Sequence, residues 1–360
     1  MPLSFRELQA QLLPEWGREH DGNGVDFDLL MLPSLSVDRA QLELITGAHN
    51  YEERQLFSLV RLRDPGVRII YVTSKLLPEL VVDAVLELLP GVPTSHARRR
   101  LHLFDTDDAS SRPLTEKLLE RPALLARIRE LLRPGRSFIG CYVVTELEKR
   151  LSEVLQVPLL GTDPTLSWWG SKAGSRALFA RCGVPHPPGS ALVHNLDDLA
   201  EATAQLWEAH PQLERCVVKL NEGISGEGNA PLQLAGLSDA ERRPLLRQAL
   251  ERIPMPHPQW RELVSRQGAL ERDAVDFIAR RFGDRWDLQA IEVNLRHGGT
   301  THPTMALRAI TAGHLDGDSG LFLSPTGQPL HDLASDNIVG PHRRSAPGRA
   351  AAGRSGGHRR

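Results

Sequence analysis

Short apolar runs alternate with amphipathic stretches along roughly the first 150 residues of the chain. The runs DFDLLMLPSL, VRIIYVTS, LHLFDTDD and SFIGCYVV predict strands. The intervening segments NYEERQLFSLVRLRDPG, PELVVDAVLELLPG and RPALLARIRELLRPG have helical spacing and are bounded by proline and glycine. Because each strand is followed by a helix, the pattern predicts an α/β fold with a parallel, doubly wound sheet.

A boundary is predicted where this alternation ends. Thr145 and Glu148 form a T-x-x-E capping box, which predicts a helix through Gln156. The linker VPLLGTDPTLSWWGS follows and is interrupted by proline and glycine. We therefore expect a Rossmann-like domain over residues 1–157 and a second domain over residues 158–337.

The second domain has a different pattern of elements. The segment SKAGSRALFARCG, residues 197–209, residues 238–253 and THPTMALRAITAG read as helices. CVVKL reads as a strand that leads into a glycine-rich loop. AVDFIARRF and WDLQAIEVN are separated only by the turn GDR, which predicts two antiparallel neighbours. These elements predict an α+β module.

Composition and charge narrow the function classes. The chain is 41% hydrophobic and 24% charged, as in soluble globular proteins, and no apolar run is long enough to cross a membrane. Six arginines and no acid lie in residues 341–360, so the other residues carry a net charge of −8 and do not predict a nucleic-acid surface. Residues 338–360 predict a disordered tail, either solvated or serving as a nucleic-acid-binding arm. Three scattered cysteines and an N-terminus without signal-peptide character indicate a cytoplasmic location.

A lysine beside a glycine-rich loop is the first candidate for chemistry. In VVKLNEGISGEGNA, Lys219 ends a β-branched run, and Gly223, Gly226 and Gly228 follow it. Glycines let the backbone point its N–H groups at an anion, so the arrangement suits a phosphate clamp. It is not a P-loop, because the lysine precedes the glycines. The alternative is a hairpin loop with an exposed lysine.

Oxygen-bearing side chains form the second candidate. In IEVNLRHGGTTHP, Glu292, Asn294 and Arg296 alternate with apolar residues and point to one face of a strand. Asp276 lies on the neighbouring strand. Three oxygen ligands suit a hard cation such as Mg²⁺. The alternative is a solvated strand face.

These motifs, taken in chain order, carry a resemblance. Lys172 begins a helix that is followed by GVPHP, and on its own it reads as an ordinary surface lysine. With the strand lysine and its glycine loop, the strand Asp and E-x-N-x-R, it resembles the ATP-grasp superfamily of carboxylate–amine ligases. VVKLNEGISGEGNA and EVNLRHGGTTHP are similar to the peptide ligases of the pheganomycin-synthesis type. The resemblance covers roughly residues 140–337 and implies a Rossmann-like pre-ATP-grasp domain followed by the ATP-grasp module.

The resemblance also implies ligands and roles. ATP and Mg²⁺ are the implied cofactors, and a carboxylate and an amine or peptide are the implied substrates. Lys172 and Lys219 would contact the α- and β-phosphates, and Arg296 would stabilise the transferred phosphoryl group. The implied loop over the triphosphate includes Gly223, Ser225, Gly226, Gly228 and Asn229, and the implied Mg²⁺ ligands are Asp276, Glu292 and Asn294. The loop over residues 298–302 would border the carboxylate.

Two departures from the family leave alternatives open. Only 46 residues separate Asn229 from Asp276, where related ligases have a longer stretch, and the further C-terminal domain of the family is missing. A degenerate, non-catalytic nucleotide-binding protein is therefore the alternative to an active ligase. A metal-binding hydrolase using Asp276, Glu292 and His302 is a weaker one. The sequence indicates neither the substrate pair nor the oligomeric state.

Overall fold

The computed structural model describes most of the N-terminal 220 residues and separate segments beyond them. The described residues are 2–12, 26–37, 47–219, 229–233, 277–282, 285–290, 313–316 and 321–330, with the single positions 42, 43, 45, 221, 244, 245, 293 and 311. The described α-helices are α1 Phe5–Gln9, α2 Glu79–Glu87, α3 Thr94–Arg98, α4 Leu114–Leu119, α5 Pro122–Leu131, α6 Glu146–Leu155, α7 Lys172–Cys182 and α8 Leu196–Ala209, and two 3-10 helices span Ala48–Arg63 and Pro164–Gly170. The described strands are β1 Asp28–Leu32, β2 Arg68–Thr73, β3 Leu101–Asp105, β4 Ser137–Cys141, β5 Leu159–Leu160, β6 Arg215–Lys219, β7 Asn229–Gln233, β8 Phe277–Phe282, β9 Arg285–Ala290, β10 His314–Leu315 and β11 Phe322–Leu323.

The chain forms two compact units. One combines Met1–Leu13 with Cys141–Gly298, and it is called the site unit below because it holds the predicted phosphate and metal residues. The other combines Pro14–Gly140 with Gly299–Arg360 and is called the sheet unit. The domain boundaries at 157/158 and 337/338 stay predictions of the sequence.

A parallel sheet organises the sheet unit. Its strands lie in the order β3-β2-β1-β4, and β1 pairs in parallel with β2, which pairs in parallel with β3. All five residues of β1 are buried, as are the last five of β2. Strands covered on both faces read as continuous apolar runs, which is why DLLML and RIIYVT show no alternation. The predicted α/β class with a parallel sheet is confirmed.

Asp28 is a charged exception inside this sheet. Its side chain is fully buried, and its carboxylate accepts hydrogen bonds from Arg68 (2.7 Å) and Arg133 (2.8 Å). Burial raises the pKa of Asp28, but the bonds from the two arginines outweigh it and hold the pKa below its ordinary value. Removing either arginine would leave a buried charge without full compensation, which is costly. The cluster therefore links β1 to β2 and to the segment after α5.

A second buried polar cluster lies behind the end of β2. The Glu52 carboxylate accepts hydrogen bonds from the backbone N–H of Ser74 (2.5 Å) and from its hydroxyl (2.6 Å). The Lys117 ammonium donates to the Ser74 hydroxyl (2.9 Å) and to the carbonyls of Asp108 and Ser110. Burial raises the pKa of Glu52 to about 7, although the Ser74 bonds and the nearby Lys117 oppose that rise.

Helix α6 of the site unit begins with the predicted capping box, which is confirmed. The Thr145 hydroxyl accepts a hydrogen bond from the N–H of Leu147 (3.2 Å), and the Glu148 carboxylate accepts one from the N–H of Thr145 (2.9 Å). The helix ends at Gln156, which has a φ of 56° and so leaves the helical path. Helix α1, which the sequence pattern did not predict, packs on α6 and β5.

Two antiparallel hairpins complete the described part of the site unit. Strand β6 pairs with β7, and β8 pairs with β9 through the register Phe282↔Arg285, so the predicted antiparallel pairing of the second pair is confirmed, with Arg285 inside β9. Most of the helices predicted over residues 238–253 and 301–313 lies outside the described residues. Among the described helices, none is both long and apolar enough to cross a membrane.

Glu52 makes the stability of the chain depend on pH. Its folded-state pKa of about 7 lies above the ordinary 4.5, so folding favours the protonated carboxyl. Its contribution is therefore complete below pH 4.5 and is lost as the pH rises through about 7. We expect the free energy of unfolding contributed by this group to fall by about 2–3 kcal/mol between pH 5 and pH 8.

Urea unfolding at both pH values measures this loss. Glu52→Gln should flatten the pH dependence, because the amide does not titrate. Glu53→Gln removes a carboxylate from the next position and controls for the change in net charge. Equal pH slopes for the wild type and Glu52→Gln would contradict the assignment.

Candidate functional site

The structure describes part of the predicted phosphate site and the backbone beside the predicted metal site. Lys172 and Lys219 are described with their side chains, and Asn229 through its backbone. The other predicted site residues lie outside the described residues, and their roles stay predictions: Gly223, Ser225, Gly226, Gly228, Asp276, Glu292, Asn294 and Arg296.

Both predicted phosphate lysines are buried. Lys172 is 8% exposed and Lys219 is 7% exposed. The alternatives of an ordinary surface lysine at 172 and an exposed hairpin lysine at 219 are therefore wrong. An ammonium group taken out of water is costly unless anions or hydrogen-bond acceptors compensate it, so the surroundings of both lysines must be polar.

The first turn of α7 is satisfied by the chain itself. A helix leaves its first four N–H groups without partners inside the helix. Here the N–H of Lys172 donates to the Asn221 carbonyl (3.2 Å) and that of Ala173 to the Asn221 side-chain oxygen (2.9 Å). The N–H groups of Gly174 and Ser175 donate to the hydroxyl and carbonyl of Ser171 (3.0 and 2.8 Å). Phosphate contacts from this turn must therefore come from the Lys172 side chain.

Asn221 links the two lysines through the backbone. It lies two residues after Lys219, just beyond the end of β6, and it accepts both hydrogen bonds that begin α7. Sequence reasoning missed this residue. The available signal was its position directly after the predicted strand, two residues beyond Lys219.

The glycine-rich loop is closed at its base by the β6–β7 hairpin. Lys219 is the register partner of Asn229, and residues 220–228 connect them. Partners in an antiparallel ladder lie about 5 Å apart between Cα atoms, so the loop leaves and returns at one place. The predicted clamp thus has its lysine at the foot of its loop.

Strand β9 ends at Ala290, and the chain beside the predicted metal ligands is attached to α7 and to the residues that follow it. The N–H of Val293 donates to the Ser175 hydroxyl (3.0 Å), and the N–H of Ala290 donates to the Pro185 carbonyl (2.7 Å). Val293 stands between Glu292 and Asn294 in the chain. An oxygen-donor pair of this kind fits Mg²⁺, and Val293, which lies between the two in the chain, is attached to the helix that begins with Lys172.

Gly174 permits the tight packing at the start of α7. A Cβ atom at this position would lie 1.8 Å from the backbone oxygen of Trp168, in the 3-10 helix Pro164–Gly170. Any side chain would therefore push the backbone of that helix away from α7. The Ser175 hydroxyl, which donates to the Trp169 carbonyl (3.0 Å), adds a second link between the two helices.

Sequence comparison finds a matching family and two curated relatives. The family model described as "IQCH-like, ATP-grasp" matches residues 165–264, a range that includes Lys172 and Lys219. IQ motif-containing protein H from Danio rerio is 26% identical over 339 residues, which cover 87% of this chain and 31% of that protein. L-propargylglycine–L-glutamate ligase from Streptantibioticus cattleyicolor is 26% identical over 232 residues, which cover 63% of this chain and 48% of that enzyme. The chain thus spans about a third of one relative and about half of the other.

Structure comparison finds two similar nucleotide complexes. The biotin carboxylase domain of the Hydrogenobacter thermophilus 2-oxoglutarate carboxylase, solved with MgADP and bicarbonate, has a TM-score of 0.38 at 15% identity and covers 68% of this chain and 43% of its own. The ADP complex of N5-carboxyaminoimidazole ribonucleotide synthetase has a TM-score of 0.35 at 12% identity and covers 85% of this chain and 68% of its own.

Gly174→Ala tests the close approach at the start of α7. Helix propensity alone favours alanine, so a loss of stability can come only from the clash with the Trp168 backbone. We expect the free energy of unfolding to fall by about 1–3 kcal/mol, as measured by urea denaturation.

Ala177→Ser is the matched control, because it adds one atom to an exposed position of the same helix. Its effect should stay within about 0.5 kcal/mol. A Gly174→Ala protein as stable as this control would show that the two helices do not pack as described.

Proposed function

We propose that the chain binds Mg-ATP and joins a carboxylate to an amine, which is supported by the match of residues 165–264 to the IQCH-like, ATP-grasp family model and by the similarity to the ligase relative. The observation that carries the proposal is the burial of Lys172 and Lys219 in one unit, with Asn221 bonded to the start of α7. Two buried ammonium groups balance the charge of a nucleotide phosphate chain.

The proposed reaction has two steps. A carboxylate oxygen of the first substrate attacks the γ-phosphorus, the bond to the ADP oxygen breaks, and an acyl phosphate forms. The amine nitrogen of the second substrate then attacks the acyl carbon, phosphate leaves, and the nitrogen loses a proton to give an amide. Both steps place negative charge on phosphate oxygens, so positioned cations lower the barrier.

Each cationic group has a proposed part in this chemistry. Lys172 and Lys219 hold the α- and β-phosphates, which keeps the γ-phosphorus in line with the attacking carboxylate. Arg296 stabilises the transferred phosphoryl group. Asp276, Glu292 and Asn294 would hold Mg²⁺, which when bound would supply positive charge that neutralises the phosphates. The loop from Gly223 to Asn229 covers the triphosphate and excludes water.

We assign the substrates to the class of amino acids and peptides. This assignment is supported by the similarity to L-propargylglycine–L-glutamate ligase, whose name specifies two amino acids as the joined molecules. The carboxylate would lie beside residues 298–302, as the sequence resemblance implies.

A reducing, cytoplasmic location is part of the proposal. Cys141 and Cys216 are free, and burial raises the pKa of both thiols, the latter to about 11. Cys182 is free and exposed. A thiol exposed in this way persists where disulfides are kept reduced.

The short stretch between Asn229 and Asp276 favours one alternative. With only 46 residues there, the chain would keep nucleotide binding and lose turnover. Mg-ATP binding in calorimetry without product formation across a broad panel of acids and amines would support this non-catalytic function.

Release of ADP and phosphate with candidate amino acids and amines tests the ligase function. Lys219→Met removes the ammonium from the phosphate clamp and keeps a side chain of similar length. We expect kcat/KM for ATP to fall by about 100-fold or more, because one positioned cation or donor contributes that much to stabilising a developing oxyanion.

Lys149→Met is the matched control, because it removes a partly buried lysine that contacts Phe5 in the same unit and is not among the predicted phosphate residues. Its kcat/KM should stay near the wild-type value. Glu292→Ala should abolish Mg²⁺-dependent turnover. A kcat/KM near the wild-type value in Lys219→Met, or Mg²⁺-dependent turnover that survives in Glu292→Ala, would overturn the assignment.

A further inference from the structure

Ser175 has a contact that none of the motifs accounts for. It is the fourth residue of α7, three positions after Lys172, and its side chain is fully buried. Its hydroxyl donates to the Trp169 carbonyl and accepts from the N–H of Val293, each over 3.0 Å. A serine hydroxyl has one hydrogen to donate, and the bond to the Trp169 carbonyl uses it. The hydroxyl oxygen accepts the bond from the N–H of Val293.

Helix formation does not explain a serine at this position. Alanine is the better helix former, and serine hydroxyls inside helices commonly bond a carbonyl of the preceding turn of the same helix. The hydroxyl of Ser175 instead accepts a bond from a residue 118 positions away. The Ser175 hydroxyl therefore contributes to attaching the distant segment at Val293 to α7.

That attachment fixes the position of the chain at Val293, between two predicted metal ligands. Val293 is covalently flanked by Glu292 and Asn294, whose Cα atoms must lie about 3.8 Å from that of Val293. A second bond, from the N–H of Ala290 to the Pro185 carbonyl, holds the segment three residues earlier. The backbone on either side of Glu292 is thus held by α7 and the residues that follow it.

We propose that Ser175 is a positioning residue that keeps the Glu292 and Asn294 pair in register with Lys172. The inference rests on the proposed function, since it concerns how the metal ligands meet the nucleotide phosphates. Mg²⁺ demands near-ideal geometry at about 2.0–2.1 Å from its ligands, so a small displacement of the segment that carries Glu292 and Asn294 would weaken Mg²⁺ binding. Residues that orient metal ligands typically change metal affinity by about 10–100-fold when they are removed.

Ser152 provides a control with the same physical character. It is also a fully buried serine in the site unit, and its hydroxyl donates to the Val157 carbonyl over 2.6 Å. Its loss costs a buried hydrogen bond without touching Val293. Ser152→Ala therefore reports the purely structural effect of deleting such a hydroxyl.

The test is ADP binding by calorimetry in excess Mg²⁺ and, separately, in EDTA. Ser175→Ala should lower the Mg²⁺-dependent gain in ADP affinity by about 10-fold or more and leave the affinity in EDTA unchanged. Ser152→Ala should lower only the unfolding midpoint. If Ser175→Ala does not fold, Ser175→Cys serves instead, because sulfur fills the space but accepts hydrogen bonds weakly.

The outcomes separate this inference from the function on which it rests. A wild-type protein that binds no ADP with or without Mg²⁺ overturns both. A wild-type protein whose ADP affinity rises with Mg²⁺, together with a Ser175 variant showing the same rise, overturns the role of Ser175 alone. An equal loss in Mg²⁺ and in EDTA, or an equal loss in Ser152→Ala, assigns the hydroxyl to stability and also overturns it.

Discussion

The hydrogen bonds at the start of α7 determine where the candidate site lies. Four N–H groups at a helix N-terminus need acceptors, and here two come from Asn221 and two from Ser171. Because Asn221 follows Lys219 closely in the chain, satisfying the helix also attaches the phosphate strand to it. A local requirement of helix formation thus becomes the long-range contact that brings Lys172 and the end of β6 into one unit.

The same helix organises the metal side of the site unit. Ser175 holds Val293 one turn further along α7, and the Pro185 carbonyl just after α7 holds Ala290. Gly174 lies between Ala173, which bonds Asn221, and Ser175, and it admits the Trp168 backbone at close range. The positions of the 3-10 helix, of Asn221 after β6 and of Val293 after β9 therefore depend on a single turn of α7.

Local signals in the sequence were sufficient for much of the fold. The capping box of Thr145 and Glu148, the apolar runs of β1 and β2, and the tight turn between β8 and β9 each depend on neighbouring residues, and each was predicted. Asn221 and Ser175 escaped prediction because their partners are 48 and 118 residues away. Glu52 was missed as well, although Leu56 and Leu59 of the same helix are also buried, because a pattern of apolar positions does not reveal that a carboxyl has been buried among them.

The pairing of Lys219 with Asn229 sets a geometric limit on the loop between them. Nine residues, 220–228, leave one rung of the hairpin and return to it. A loop that leaves and returns at one place can reach at most half of its extended length, so its tip lies no more than about 15 Å from the strand ends. Any group that this loop contacts must therefore lie within that distance of the Lys219 backbone. Shortening the loop by two residues would reduce its maximum reach by about 3 Å.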